Sequence, residues 1–301
     1  MDVLTLTLNP CVDRTMWVDD FNEEPHRIEY QSGGKGINVA RVLSNLGAPV
    51  VSLFSCGGDT GEQLKQLVSD EGIKYCACTM TEPTRVVDTF VRAGDFAQRV
   101  NVGAPPSMTD EEIEQLEKHA REMIPQAKLF CVCGSACCEQ AAQLGARLIE
   151  YANGLGVKTL LDSNGMALTL GITAKPNLIK PNQVELEQLL GHSVASGEEE
   201  NAARTLIDSG IDYVLLSKGE SGAMWVERDC TVYCPAPKIE TVNAVGSGDS
   251  FVAGYIYAQL SGANEYKSLM IACAAGAANA AQFPAACVGK ADIEKILGYG
   301  I

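Results

Sequence analysis

The chain has 301 residues, 46% of them apolar and 20% charged, an ordinary globular composition that excludes disorder and collagen-like repeats. The length allows two domains, or one large α/β domain with an appendage. Acidic residues outnumber basic ones 38 to 23, and the net charge of −15 argues against nucleic acid or a membrane surface as partner. A small anionic ligand stays open, because a few local cations and a helix N-terminus can hold a phosphate.

In chain order, Val3–Leu8 alternates apolar residues with Thr and predicts a strand. Gly36–Leu46 follows a Gly-rich turn and predicts a helix ending at Gly47. Val50–Phe54 reads as a strand and Gly61–Glu71 as a helix closed by Gly72. Arg85–Ala93 and Gln98–Val102 flank Gly94-Asp95, a hairpin signal. Asp110–Met123 is a helix behind the cap signal of Thr109 and Glu112. From there strand and helix alternate. Strands are expected at Leu129–Cys133, Lys158–Asp162, Leu178–Lys180 and Tyr213–Ser217. Helices are expected at Glu139–Leu155, Val184–Leu190, Glu198–Asp208, Gly248–Gln259 and Lys267–Phe283. Such alternation predicts a parallel sheet covered on both faces. The polar, strand-like segments 13–31 and 85–102 break the pattern and are expected to pair as a small projecting sheet.

The opening MDVLTLTLNP lacks the charged and apolar regions of a secretory signal, so the twelve cysteines read as free thiols of a protein in the reducing cytoplasm. Cys76/Cys78 and Cys131/Cys133 are too closely spaced for the usual zinc pairs, and His26, His119 and His192 are remote from them. The apolar stretch Ile271–Val288 is broken by Asn279, Gln282 and Pro284, which argues against a membrane span.

Three nucleotide or hydrolase signatures are missing. Lys35 is followed by Gly36 rather than Ser or Thr, no Gly-x-Gly-x-x-Gly follows the first strand, and no Gly-x-Ser-x-Gly joins a strand to a helix. In their place Asn243-Ala244-Val245-Gly246-Ser247-Gly248-Asp249-Ser250-Phe251 puts a Gly-rich turn at a helix entrance. Unpaired N–H groups and the helix dipole there suit a phosphate or a developing phosphoryl charge. Asp249, in the first turn, is either a reactive carboxylate or a capping one. Ser32-Gly33-Gly34-Lys35-Gly36-Ile37-Asn38-Val39-Ala40-Arg41 is a second Gly-rich turn feeding a helix. Its Lys35, with Asn38 and Arg41 on one helix face, could bind a polar or anionic ligand, or be a solvated surface. In Lys180-Pro181-Asn182-Gln183-Val184-Glu185, Asn182 and Glu185 stand at capping-box spacing. The same two side chains could face a hydrated Mg²⁺, which favours a carboxylate, waters and phosphates.

Taken together, the motifs resemble those of the ribokinase-like (PfkB) carbohydrate kinase family, in the branch containing 1-phosphofructokinase and tagatose-6-phosphate kinase. The resemblance spans nearly the whole chain. It rests on Thr7 to Asp13, Gly33 to Arg41, Asp162-Ser163-Asn164-Gly165, Lys180-Pro181-Asn182 with Glu185, Ser217-Lys218-Gly219 with Gly222-Ala223, and Asn243 to Phe251. It implies a Rossmann-like three-layer α/β/α domain (1–12, 32–84 and 103–301). A small β-sheet lid over the sugar (13–31 and 85–102) would double as a homodimer surface. It also implies ATP and Mg²⁺ as cofactors and a sugar phosphate as acceptor.

By position, Asp249 would be the general base, and Gly246, Ser247 and Gly248 the anion hole. Asp13, Gly34, Lys35, Asn38 and Ser135 would bind the sugar, and Arg85 and Arg99 the phosphate it already carries. Asn182 and Glu185 would support Mg²⁺, with Glu185 acting through water. Asn182, Ser217, Gly219, Gly222, Gly276 and Asn279 would form the ATP site.

Some positions depart from the branch. Thr89 stands at a usual lysine beside acidic Asp88, Arg99 replaces an acidic residue, and Ala136-Cys137-Cys138-Glu139 replaces a Leu-Pro-x-Gly turn. These changes bear on which sugar is used: fructose 1-phosphate, tagatose 6-phosphate or fructose 6-phosphate. Two alternatives remain at this level, a kinase for an unphosphorylated sugar or nucleoside, and a catalytically silent sugar-phosphate sensor.

Overall fold

The computed structural model describes residues 1–92 and 98–301, with side chains outside 93–102. Nine strands form one sheet in the order β13-β12-β11-β10-β9-β8-β1-β4-β5. In chain order they are β1 (Val3–Thr7), β4 (Val50–Cys56), β5 (Tyr75–Thr79), β8 (Leu129–Cys133), β9 (Lys158–Asp162), β10 (Leu178–Ile179), β11 (Tyr213–Ser217), β12 (Ala223–Val226) and β13 (Thr231–Cys234). From β5 to β11 every pairing is parallel.

The alternating side chains of β1 serve two cores. Val3 packs with Ile37, Val252 and Leu269 of α1 (Lys35–Asn45), α8 (Ser247–Leu260) and α9 (Glu265–Ala280). Leu4 and Leu6 pack with Leu116, Leu144 and Leu206 of α3 (Asp110–Met123), α4 (Glu139–Gly154) and α7 (Glu199–Asp208). A parallel sheet covered on both faces is thus the architecture, as the alternation of elements requires.

Several elements differ from expectation. The sheet is not wholly parallel, because β11, β12 and β13 run antiparallel at one edge. The two added strands are four residues each, too short for a periodic signal. β5, whose sequence YCACT lacks a clear apolar/polar alternation, and the helices α5 (Gly165–Gly171) and α10 (Lys290–Leu297) also give no clear pattern. The second helix, α2 (Gly58–Asp70), starts three residues earlier than expected. Helix α3 opens on the expected capping box of Thr109 and Glu112, an arrangement worth about 1 kcal/mol.

A second sheet has the order β3-β2-β6-β7, from β2 (Cys11–Val18), β3 (Arg27–Gly33), β6 (Arg85–Arg92) and β7 (Gln98–Val102). β2 pairs antiparallel with β3 and parallel with β6, and β6 pairs antiparallel with β7. The turn expected at Gly94-Asp95 lies outside the described residues. The sheet reaches the main domain through Gln31, whose Nε2 donates to Ala285 O at 2.9 Å, and through Trp17, edge-on to Phe283 at 6.5 Å.

No helix among the described residues is long and apolar enough to cross a membrane. All twelve cysteines are free thiols. Cys137 is buried, and burial pushes its thiol up to about 12, which makes Cys137 a packing residue rather than a nucleophile.

Candidate active site

Between the two sheets lies a cleft of about 1370 Å³. Its floor is built by the N-terminal turns of α1 and α8 and by α6 (Gln183–Leu190), where backbone N–H groups have no helical partner. Gly246 precedes α8 with φ of 80°, a left-handed conformation that glycine adopts without strain. It turns the chain so that Ser247, Gly248 and Asp249 enter the helix facing the cleft.

Asp249 is 6% exposed, and its Oδ2 accepts from Asn38 Nδ2 at 2.7 Å. Burial pushes its carboxyl up to about 6. Asp162 adds to this, while Lys35, Asn38 and Lys180 oppose it. Below Asp249 lies a charge cluster that sequence spacing could not show. Asp162 is fully buried, and its Oδ1 accepts from Lys35 Nζ at 3.1 Å and Lys180 Nζ at 3.2 Å. Burial opposes ionisation of Asp162, yet the two ammonium groups hold it below the usual carboxylate range. Burial also opposes the charge on Lys35, and the carboxylates of Asp162, Asp249 and Glu185 outweigh it and raise the lysine. Lys180 and Asp162 were visible only as members of motifs, because their meeting depends on β9 and β10 lying side by side.

Asn182 and Glu185 form a complete capping box. Asn182 Oδ1 accepts from Glu185 N and Glu185 Oε2 accepts from Asn182 N, both at 2.9 Å. Both residues also line the cleft, and Glu185 Oε1 lies 3.7 Å from Lys35 Nζ. The capping and ligand-facing readings are therefore compatible, since one carboxylate oxygen caps and the other faces the cleft.

Asp13, Gly34, Ser135 and Arg85 line the end of the cleft beneath the four-stranded sheet, with Thr89 beside them. Cys11 Sγ donates to Asp13 Oδ1 at 3.3 Å, and Asn9 Nδ2 donates to Ser135 Oγ at 3.2 Å. Arg85 Nη2 donates to Asn9 O at 3.1 Å, while its buried Nε has no partner among the described residues. Asp88, beside Thr89, is held by a two-pronged pair with Arg14 at 2.7 and 2.8 Å. The side chain of Arg99 lies outside the described residues.

Ser217, Gly219, Gly222 and Gly276 line the opposite end. At Gly222, with φ of 95°, a Cβ would fall 2.2 Å from Cys234 O, so only glycine lets this loop pass β13.

Two expectations are corrected. Asn279 does not line the cleft. It is fully buried, its Nδ2 donating to Val245 O at 2.8 Å and to Ser247 Oγ at 3.0 Å, and it holds the turn from behind. Arg41 is not available to a ligand either. It is 2% exposed and engaged by Glu71, Ser32 and Asn38.

A Rossmann-like domain with a β-sheet cover, carrying a buried carboxylate at a helix N-terminus near two lysines, is the architecture of ribokinase-like kinases. A model of the pfkB family of carbohydrate kinases matches residues 5–286, and the chain belongs to that family. It is 32% identical over 287 residues to the 1-phosphofructokinase of Borreliella burgdorferi, covering 92% of this chain and 91% of that protein. It is also 32% identical over 260 residues to the tagatose-6-phosphate kinase of Staphylococcus epidermidis, covering 84% and 83%. The crystal structure of phosphofructokinase-2 from Escherichia coli in complex with potassium superposes with a TM-score of 0.89 at 27% identity, covering 99% of this chain and 98% of that one.

Proposed function

We propose that this protein transfers the γ-phosphoryl group of ATP to a hydroxyl of a sugar phosphate, giving a bisphosphate, with Asp249 as general base. The observation that carries this reading is the buried Asp249 carboxylate at the head of α8, held by Asn38 and facing a cleft beside the lysine–aspartate cluster. Asp249 Oδ1 is left to accept the proton of the attacking hydroxyl. The N–H groups following Gly246 face the transferring group, whose charge Lys35 and Lys180 neutralise, a task that is mostly alignment and electrostatics.

In the half of the cleft under the lid, Asp13, Gly34, Asn38 and Ser135 hold the sugar. Arg85, with an unpartnered Nε, supplies a cation for the phosphate already on it. Arg99 is assigned to the same phosphate. The names of the similar proteins narrow the acceptor to fructose 1-phosphate, tagatose 6-phosphate or fructose 6-phosphate. Ser217, Gly219, Gly222 and Gly276 line the ATP half.

Mg²⁺ fits the hard oxygen donors present. Among the described residues no three His, Cys, Asp or Glu side chains gather into a metal cage. The ion would therefore arrive on the triphosphate, with Asn182 beside it and Glu185 contacting it through water. Bound there, Mg²⁺ neutralises and orients the phosphates.

Segments 13–31 and 85–102 act as the lid, and residues 1–12, 32–84 and 103–301 as the kinase domain. The outer face of the lid presents Ile28 and Tyr30, 45% and 46% exposed, which suits a homodimer contact. The twelve free thiols suit the reducing cytoplasm.

The test is ADP release with Mg·ATP against fructose 1-phosphate, fructose 6-phosphate, tagatose 6-phosphate, fructose, ribose and a nucleoside. Turnover confined to phosphorylated sugars is expected. Turnover on neutral acceptors alone overturns the substrate class. Thermal stabilisation by a sugar phosphate without turnover would make the protein a sensor.

A further inference from the structure

We propose that Arg41 and Glu71 are positioning residues, which act through Asn38 to hold the Asp249 carboxylate ready for proton transfer. The inference rests on Asp249 being the base. Neither Arg41 nor Glu71 lines the cleft. Their side chains form a chain behind it, Arg41 buried and Glu71 half-buried: Arg41 Nε donates to Glu71 Oε2 at 2.9 Å, and Arg41 Nη1 donates to Asn38 Oδ1 at 2.8 Å. Arg41 Nη2 also donates to the hydroxyl of Ser32 at 2.8 Å and to its carbonyl oxygen. Glu71, at the end of α2, accepts in addition from Ser32 N at 2.9 Å and from the Ser32 hydroxyl.

A guanidinium has donors only, and an ionised carboxylate accepts only. Asn38 stands between one of each, so its amide has a single satisfactory orientation. Its oxygen faces Arg41 and its NH₂ faces Asp249, where Nδ2 lies 2.7 Å from Oδ2. Flipped, the amide would set oxygen against carboxylate and nitrogen against guanidinium. The orientation that Arg41 enforces ties up Oδ2 and leaves Oδ1 for the acceptor hydroxyl.

Stability alone does not account for this chain. A buried ion pair is commonly no better for a fold than apolar residues of similar volume, and Arg41 is only 2% exposed. The chain also links α2 and the root of the lid strand β3, through Ser32, to the base on α8.

The test is a double-mutant cycle. Arg41→Lys keeps the charge and loses the fork. It is expected to lower kcat about tenfold, within the range of coupled neighbours, with the KM for ATP within about twofold. In an Asn38→Ala background the same substitution is expected to change kcat by less than about twofold, because Arg41 has nothing left to orient. Loss of the Asn38 donor disfavours the charged form of Asp249, so the acid limb of kcat/KM should move upward in Arg41→Lys. The other groups facing Asp249 are Lys35, Asp162, Lys180 and Cys133, and all stay in place.

If Arg41→Lys fails to fold by circular dichroism, Glu71→Gln carries the test, with a smaller effect expected in the same direction. Unchanged kcat and acid limb in a folded variant, or losses that add fully to those of Asn38→Ala, would overturn the inference. Asp249→Asn separates the two failures. Full activity there removes the base, whereas an inactive Asp249→Asn beside an unaffected Arg41→Lys defeats this inference alone.

Discussion

At the residue level, the role proposed for Asp249 predicts a pH dependence. A base must be deprotonated, and burial lifts this carboxyl to about 6. The kcat/KM profile of the free enzyme should therefore fall on the acid side with a midpoint near 6. Asp249→Asn should lower kcat by about 10²–10⁴ while ATP still binds, measured by turnover and by nucleotide titration.

The same burial has a stability consequence. Between the ordinary Asp value and about 6 the folded state holds a proton that the unfolded chain has released, so this group's contribution falls as pH rises. Asp249→Asn is thus expected to raise Tm at pH 8, with the gain shrinking toward pH 4; a gain independent of pH would remove burial of charge as its cause. Asp249 was legible in sequence because a Gly-rich turn before a helix is a local signal. Asp162 was not, since its role depends on two lysines brought in from α1 and from the end of β10.

At the level of elements, the Gly-rich turn at the head of α8 is held from behind by α9. Asn279 spends its amide on Val245 O and Ser247 Oγ, and its oxygen on Ala286 N. Asn279→Ala would leave the buried Ala286 N unpaired, at about 1–3 kcal/mol, and would release Val245 O and Ser247 Oγ at the edge of the cleft. The expected result is a lower urea midpoint together with a lower kcat, because the turn no longer has a backstop. Lost stability with unchanged kcat would make Asn279 a packing residue alone.

The second element-scale lesson is α6. Its capping box was correctly seen as one of two readings, and the structure makes the two compatible through the two oxygens of Glu185. Helix spacing in the motif Gly33 to Arg41 predicts either a ligand face or a solvated surface, and Arg41 is neither. Spacing says which residues share a face and not which neighbour that face meets. Arg41 turns inward because Glu71 and Ser32 wait there.

At the scale of the whole molecule, the cleft exists because a four-stranded sheet is docked over the C-terminal ends of a parallel one, by Gln31 to Ala285 and Trp17 to Phe283. Its outer face leaves Ile28 and Tyr30 open. If this face joins two copies, Ile28→Asp should convert a dimer to a monomer in sedimentation velocity, with the sheet still folded. A wild-type monomer, or a dimer insensitive to the change, would place any self-association elsewhere.

The layered α/β architecture, the two Gly-rich turns and the aspartate at a helix entrance could all be read from the amino-acid order alone. Those features are written in periodicity and in the chemistry of turns and caps, all within a few residues of one another. Only the tertiary structure decided which charges meet. Lys35 reaches Asp162 across 127 positions and Asn38 reaches Asp249 across 211. It also places Asn279 and Arg41 behind the cleft rather than within it. Contacts between distant segments are set by how helices and strands pack on the sheet, and packing is a property of the whole core that no local pattern encodes.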